Sequence, residues 1–261
     1  MPTGSDANLV EIFSSVQGEG THVGATTLFI RFGGCDLRCR WCDSPNTWKP
    51  ASECRVETGR GGGKFQRRPN PLSLASIVEA AEALDLAAHE FVSLTGGEPL
   101  LQPEPVREIA RELGARGPRV LLETHGLAGP GLERVIEFID VVSMDWKLTS
   151  DVRRERDPRH GEVENFHEEH ERFLKIARGA PELMVKVVVT GNSRDEEIDE
   201  MVSRIAASAP EATLVLQPVT PFGQVSTVAA PERLLALCAR LSTQLSRVRL
   251  IPQTHKSYGA P

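Results

Sequence analysis

Three cysteines fall in one short stretch, Cys35-Asp-Leu-Arg-Cys39-Arg-Trp-Cys42, spaced C-x3-C-x2-C. They follow an apolar run from Thr26 to Phe32 and the pair Gly33-Gly34. Glycines after a strand let the backbone turn sharply, so the thiols can converge in one loop. Crowded thiolates select zinc or an iron–sulfur cluster over a hard cation. A closed zinc or four-iron site takes four protein ligands. Here only three are offered, no further Cys or His follows at a ligand-like spacing, and the adjacent Asp43 is too hard a donor for a cluster iron. One iron of a cluster would then be open to a ligand that is not protein. A structural zinc knuckle and a plain electron carrier are the other readings of the same three thiols.

A second stretch, Phe91-Val-Ser-Leu-Thr95-Gly-Gly-Glu98, reads as a buried strand ending in two glycines and an acid, followed by a helix from Pro103 to Leu113. The C-terminal ends of parallel strands are where α/β proteins place their chemistry. Two glycines there let a ligand approach the backbone, and Glu98 can accept an ammonium. Further strands end in polar tips: Glu123-Thr124-His125, Asp145-Trp146-Lys147 and Gln217-Pro218-Val219-Thr220. Arg31 interrupts the apolar run before the cysteines and needs an anion or a partner. Lys186, between Val185 and Val187, could simply face water. His167-Glu-Glu-His170 has i, i+3 spacing among many charges and reads as a solvated helix face rather than a metal site. Gly61-Gly-Gly-Lys64-Phe65 lacks the phosphate-loop spacing and reads as a surface or lid loop.

These residues need a frame. Strand-like runs occur at Leu9–Phe13 (an expected edge strand), Thr26–Phe32, Phe91–Leu94, Arg119–Leu122, Ile139–Met144, Leu183–Val189, Thr213–Leu216 and 247–252. Helical stripes alternate with the later ones: Ser73–Ala88 with Ser73 as cap, Gly131–Phe138, Phe166–Ala177, Asp195–Ala207 and Pro231–Leu245. Six strands with crossover helices fit an α/β fold, a partial (β/α)6-type, TIM-like barrel in one domain spanning 1–261. Residues 46–71 are rich in Gly, Arg and Pro, show no period and read as a variable loop.

Bulk properties bound the function. The net charge of −6 offers no basic footprint for nucleic acid. No apolar run is long enough to cross a bilayer, and the first residues lack the pattern of a signal peptide. An odd, clustered set of five cysteines is a metal pattern suited to a reducing cytoplasm. Cys238 reads as inert core; Cys54 sits in a polar stretch without a role.

The cysteine spacing with an aromatic before Cys42, joined to the Gly-Gly-Glu turn, resembles the radical S-adenosylmethionine (SAM) superfamily. In that superfamily SAM chelates the open iron of a [4Fe–4S] cluster and is cleaved to a hydrogen-abstracting radical. Gln17-Gly-Glu19-Gly ahead of a strand ending Arg31-Phe-Gly-Gly-Cys35, and Asp43-Ser44 after the last thiol, resemble the 7-carboxy-7-deazaguanine synthase family. That resemblance implies conversion of 6-carboxy-5,6,7,8-tetrahydropterin to 7-carboxy-7-deazaguanine with loss of ammonia, for queuosine-type deazapurines. It implies a cluster on Cys35, Cys39 and Cys42, and SAM against Trp41, Cys42, Asp43, Gly97, Glu98, Glu123, Asp145, Trp146, Lys147 and Gln217 to Thr220. It implies substrate at Val16, Gln17, Gly18, Glu19, Arg31 (to its carboxylate), Thr95, His255 and Pro261. Ser44 stands where the family has a Thr that binds Mg²⁺, and His125 where it often has Asn. The end of the chain, Gln253-Thr-His255-Lys256 to Pro261, resembles family tails, so residues 247–261 are expected to fold towards the site. A homodimer, a flavodoxin- or ferredoxin-type reductant and a cytoplasmic enzyme complete the expectation. Another small radical SAM enzyme, such as a glycyl-radical activase, would share the cysteine and Gly-Gly-Glu motifs but would not need Gln17-Gly-Glu19 or the tail.

Overall fold

The computed structural model describes residues 6–158, 163 and 165–259. Its frame is a ten-stranded sheet. The strands in chain order are β1 (Leu9–Val16), β2 (Thr26–Phe32), β3 (Leu37–Cys39), β4 (Glu53–Glu57), β5 (Phe65–Pro69), β6 (Phe91–Gly96), β7 (Arg119–Thr124), β8 (Val141–Asp145), β9 (Val152–Arg154), β10 (Glu182–Val189), β11 (Thr213–Pro218) and β12 (Val248–Leu250). The helices are α1 (Leu74–Ala83), α2 (Pro103–Gly114), α3 (Gly129–Glu133), α4 (His167–Ala177), α5 (Asp195–Ser208), α6 (Pro231–Leu241) and α7 (His255–Tyr258). Sheet order is β12-β11-β10-β8-β7-β6-β2-β1-β4-β5, with β3 and β9 pairing apart as an antiparallel ribbon.

From β2 through β6, β7, β8, β10 and β11 every neighbour pair is parallel, with a helix in each crossover. This is the open, partial (β/α)6 arrangement, lengthened by β12 beside β11. Strands buried on both faces read as continuous apolar runs, as Val185, Val187, Val188 and Val189 of β10 do. The helices cover the outer face with stripes at i, i+3, i+4 spacing: Val106, Ile109, Ala110 and Leu113 of α2, and Ile198, Met201, Val202 and Ile205 of α5. Each Val, Leu, Ile or Met side chain of these stripes contributes about 1.5–3 kcal/mol on burial.

Several elements differ from expectation. The run starting at Leu9 is not an edge: β1 lies between β2 and β4. Residues 46–71 are not irregular, because β4 and β5 form a hairpin that extends the sheet. Its period-two signal is present, with Cys54 and Val56 buried in the core and Glu53 and Arg55 on the other, solvent-accessible face, but arginines and glycines mask it. Cys54 is therefore core, not loop. Ser73 does cap α1, its hydroxyl accepting from Ser76 N–H. The helix stops at Ala83, and Asp85 takes a left-handed turn (φ 59°) before a short 3₁₀ segment. The stripe from Gly131 to Phe138 is split into α3 and a 3₁₀ turn.

His167 and His170 are not on a wet face. Both are buried, sharing the inner side of α4 with Phe173, Leu174 and Ala177. His170 Nδ1 donates to the Phe166 carbonyl (2.9 Å) and Nε2 accepts from Lys147 N–H (3.2 Å). Burial pushes this imidazole down to about 3. A base lowered in the folded state binds fewer protons there than in the unfolded chain between pH 3 and the ordinary histidine value. Its contribution is thus complete above about pH 6.5 and lost on acidification, with a slope of up to ~1.4 kcal/mol per pH unit. Urea midpoints measured from pH 7 to 5 should fall more steeply for the wild type than for His170→Phe. Parallel curves would assign the acid sensitivity elsewhere.

Candidate active site

A cavity of about 750 Å³ lies at the C-terminal ends of the parallel strands. That is within the usual range for small-molecule sites, about 300–1,000 Å³. Among the residues singled out above, Val16, Gln17, Gly18, Glu19, Arg31, Cys35, Cys39, Trp41, Cys42, Asp43, Ser44, Thr95, Gly97, Glu123, Asp145, Lys147, Gln217, Val219, Thr220 and His255 border it. Glu98, Trp146 and Pro218 do not, and Pro261 lies outside the described residues.

The thiols hang on a small scaffold. Cys39 closes β3, which pairs with β9 through Cys39↔Val152, and Cys42 N–H donates to the Cys39 carbonyl (3.2 Å). Leu37, Val152 and Phe166 form a local apolar cluster under this ribbon. Burial pushes the Cys35 thiol up to about 12 and that of Cys39 to about 11, the Lys147 ammonium opposing the shift at Cys39. Taking up iron therefore displaces a proton from each. Among the described residues no three His, Cys, Asp or Glu side chains gather tightly enough for a single metal ion. A multi-iron cluster, with one thiolate on each of several irons, does not require its cysteines to touch. Three soft donors on one loop at the wall of a cavity fit that group.

The Gly-Gly-Glu turn supports this loop. A Cβ on Gly97 would sit 2.2 Å from the Gly34 carbonyl oxygen and 2.8 Å from that of Thr47. Both are backbone atoms that cannot swing aside. Gly97→Ala is therefore expected to cost roughly 1–3 kcal/mol by overpacking and to lower cluster content. Thermal melting together with iron analysis checks this.

Glu98 corrects the expected role as an ammonium acceptor. It is fully buried: Oε1 accepts from Leu100 N–H (3.0 Å) and the Thr124 hydroxyl (2.8 Å), and Oε2 accepts from His125 N–H (2.8 Å). The carboxylate ties β6 to β7 instead of facing a ligand. His125 continues the link: Nε2 lies 2.9 Å from Asp36 of the cysteine loop. Burial would lower this imidazole, but Glu98 and Asp36 hold it above its ordinary value.

Trp146 is the second correction. Strand alternation sends Asp145 and Lys147 into the cavity and Trp146 behind it, where its ring stacks on His170 at 4.7 Å and its N–H donates to His167 Nδ1. Pro218 likewise lies between Gln217 and Val219 without bordering the cavity.

Lys186 is the main residue that sequence reasoning missed. It is buried, borders the cavity and pairs with Glu19 and with Asp145 (3.4 Å), while Lys147 reaches the same Asp145 oxygen at 2.7 Å. Burial would raise Glu19 and Asp145, but Lys186 holds Glu19, and Lys147 together with Lys186 holds Asp145, below the usual carboxylate range. Burial would lower Lys186 and Lys147, but Glu19 and Asp145 raise Lys186, and Asp145 with the Cys39 thiol raises Lys147. Asp145 Oδ1 and Gln217 Oε1 remain buried acceptors without a hydrogen-bond partner among the described residues. A cofactor offering an ammonium, ribose hydroxyls and an adenine amino group suits such acceptors.

On the other side, Gln17 donates to Glu123 (3.1 Å), whose Oε1 also accepts from Ser93 (2.6 Å). Arg31 Nε donates to Glu11 (2.8 Å), which leaves the outer edge of its fork for a ligand. The tail meets this wall. Thr254 N–H donates to the Gly18 carbonyl (2.9 Å), and Gln253 to Glu19 (2.6 Å). Lys256 pairs with Asp43 (3.0 Å). A Cβ on Gly18 would lie 2.0 Å from His255 Nδ1, so only glycine admits the tail here. Ser44 donates to Asp43 Oδ1 (3.1 Å), which puts two hard oxygens together beside the thiols.

The model of the radical SAM superfamily matches residues 29–205. The chain is 36% identical over 256 residues to the 7-carboxy-7-deazaguanine synthase of Geobacter sulfurreducens, covering 97% of both. It is 36% identical to that of Thermococcus kodakarensis over 82% of this chain and 84% of the relative. It is 30% identical to that of Methanocaldococcus jannaschii over 95% of this chain and 98% of the relative. In fold it is similar to the crystal structure of QueE from Escherichia coli, with a TM-score of 0.59 at 20% identity over 96% of this chain and 95% of that one. A radical SAM methyltransferase from Sphaerobacter thermophilus follows at 0.58 and 16% identity, covering 87% of this chain and 66% of that one. Three thiols, a Gly-Gly-Glu turn and a strand-end cavity on one open barrel thus coincide with sequence likeness along nearly the whole chain, which belongs to the 7-carboxy-7-deazaguanine synthase family of the radical SAM superfamily.

Proposed function

We propose that this chain converts 6-carboxy-5,6,7,8-tetrahydropterin to 7-carboxy-7-deazaguanine and ammonia. The observation that carries the reading is the cavity itself, with the cluster thiols on one wall and the Gln17–Glu19–Arg31 wall, met by the tail, on the other. Product and ammonia together have the substrate's composition, so the reaction needs no net oxidant. When bound, the cluster and SAM supply a one-electron cleavage that yields a hydrogen-abstracting radical. The chain's own residues orient and shield the reactants. Arg31 pairs with the substrate carboxylate, Gln17 and Glu19 address its ring nitrogens, and Thr95 and His255 flank it. Asp145, Lys147 and Gln217 face SAM.

Mg²⁺ would take oxygen from Ser44 and Asp43 and the rest of its shell from substrate and water, as this ion commonly does. Lys256 competes for Asp43, so Mg²⁺ binding should displace that ammonium. The enzyme acts in the cytoplasm as a homodimer with a flavodoxin- or ferredoxin-type reductant; the family likeness supports these points. Among the described residues no helix is long and apolar enough to cross a membrane.

The test is anaerobically reconstituted protein mixed with SAM, dithionite, Mg²⁺ and 6-carboxytetrahydropterin, read by mass spectrometry. Formation of 7-carboxy-7-deazaguanine is the expected result. Cleavage of SAM to 5′-deoxyadenosine without product would keep the radical enzyme and reject the substrate.

A further inference from the structure

Four strands contribute one residue each to a single row across the sheet. Glu11 of β1 stands opposite Arg31 of β2 on one side and Arg55 of β4 on the other, and Arg31 stands opposite Thr95 of β6. Directly opposed residues of a ladder point to the same face, and all four border the cavity. The row reads guanidinium, carboxylate, guanidinium, hydroxyl. Glu11 Oε1 accepts from Arg31 Nε at 2.8 Å and Oε2 from Arg55 Nη1 at 3.4 Å. The Arg55 guanidinium lies over the Phe65 ring at 4.3 Å, and Phe65, on the partner strand of the same hairpin, also borders the cavity.

We propose that Arg55, braced by Phe65, is a second substrate-carboxylate residue and completes the subsite that Arg31 begins. Two guanidinium groups around one Glu carboxylate leave a net charge of +1 facing the cavity, which matches one carboxylate. Glu11 sets the spacing of the two forks, and the aromatic face holds Arg55 without using its N–H donors. Arg55 is half exposed, so without a ligand it is a cross-strand surface pair. With a carboxylate bound between the forks, the same side chain gains a charge-assisted bond. The hairpin thereby becomes a specificity element for acids. The inference rests on the carboxylated-pterin reading above.

The test measures binding of 6-carboxypterin and of pterin, which lacks the carboxylate, to the anaerobically reconstituted holoenzyme with SAM, by ligand fluorescence. The wild type should prefer the acid. Arg55→Gln should weaken 6-carboxypterin by about tenfold or more and leave pterin, SAM affinity and iron content unchanged, and Arg55→Lys should recover part of the loss. Arg55→Gln with the wild-type preference for the acid overturns the assignment of Arg55 while the substrate reading stands. A wild type with no preference for the acid overturns both.

Discussion

Replacing Cys39 with alanine is expected to abolish turnover. The chain offers three thiols to the cluster loop, and two cannot hold a four-iron cluster against loss. Cys39 is the residue that joins the loop to the β3–β9 ribbon, but that joint is made by backbone, so the fold should survive. Purified Cys39→Ala should show an unchanged far-ultraviolet spectrum, lack the brown absorbance and bound iron of the wild type, and leave SAM uncleaved under dithionite. Cys54→Ser is the control. That thiol is fully buried in β4, and burial pushes it up to about 12, so it is no substitute ligand. A Cys39→Ala protein that keeps its iron and still cleaves SAM would remove the loop from the cluster site.

Replacing Lys186 with methionine is expected to have the largest effect on stability. It strips Glu19 of its ammonium partner and Asp145 of one of two. Leaving a buried charge without its partner costs about 3–5 kcal/mol. The pH dependence follows from the directions of the shifts. Glu19 and Asp145, held low, contribute fully above the ordinary carboxylate range and lose that contribution as pH falls through their depressed values. Lys186, held high, contributes fully at neutral pH and loses it only in strong alkali. The wild type should be flat across neutrality and weaken in acid. In Lys186→Met the loss of stability in acid should be smaller than in the wild type, because Glu19, buried without its ammonium, takes up a proton more readily in the folded chain and that proton relieves the unpaired charge. Urea midpoints from pH 4 to 8 decide this, and coincident curves would mean that water relaxes the pair.

Much of the frame was legible because parallel strands buried on both faces are continuous apolar runs, and helices between them carry stripes. The strand-end positions of Glu123, Asp145 and Gln217 followed from that pattern, and the thiol loop followed from spacing alone. What was lost has physical causes. Lys186 lies in a Val-rich strand, where a wet face and a cavity face look alike in sequence. His167 and His170 stand among acids, yet they share a stripe with Phe173, Leu174 and Ala177 that marks the inner side. Trp146 was drawn to the site by its neighbours, although alternation puts it behind them. Glu98 carries a motif glutamate whose oxygens are taken by Thr124 and by two backbone N–H groups, and sequence does not show that a side chain is already satisfied. Arg55 was hidden in a segment whose glycines and arginines obscured a hairpin.

That hairpin also decides how the sheet ends. An outer strand exposes unpaired backbone donors and acceptors, which invites another chain to pair. Here the outer strand β5 carries Gln66, Arg67, Arg68 and Pro69, mostly exposed, and the opposite edge β12 has three residues with an outward Arg249. Charge and proline discourage a partner on one side, and shortness does so on the other. Two copies of this chain therefore gain little by fusing their sheets edge to edge, and the sheet ends where the chain itself ends it.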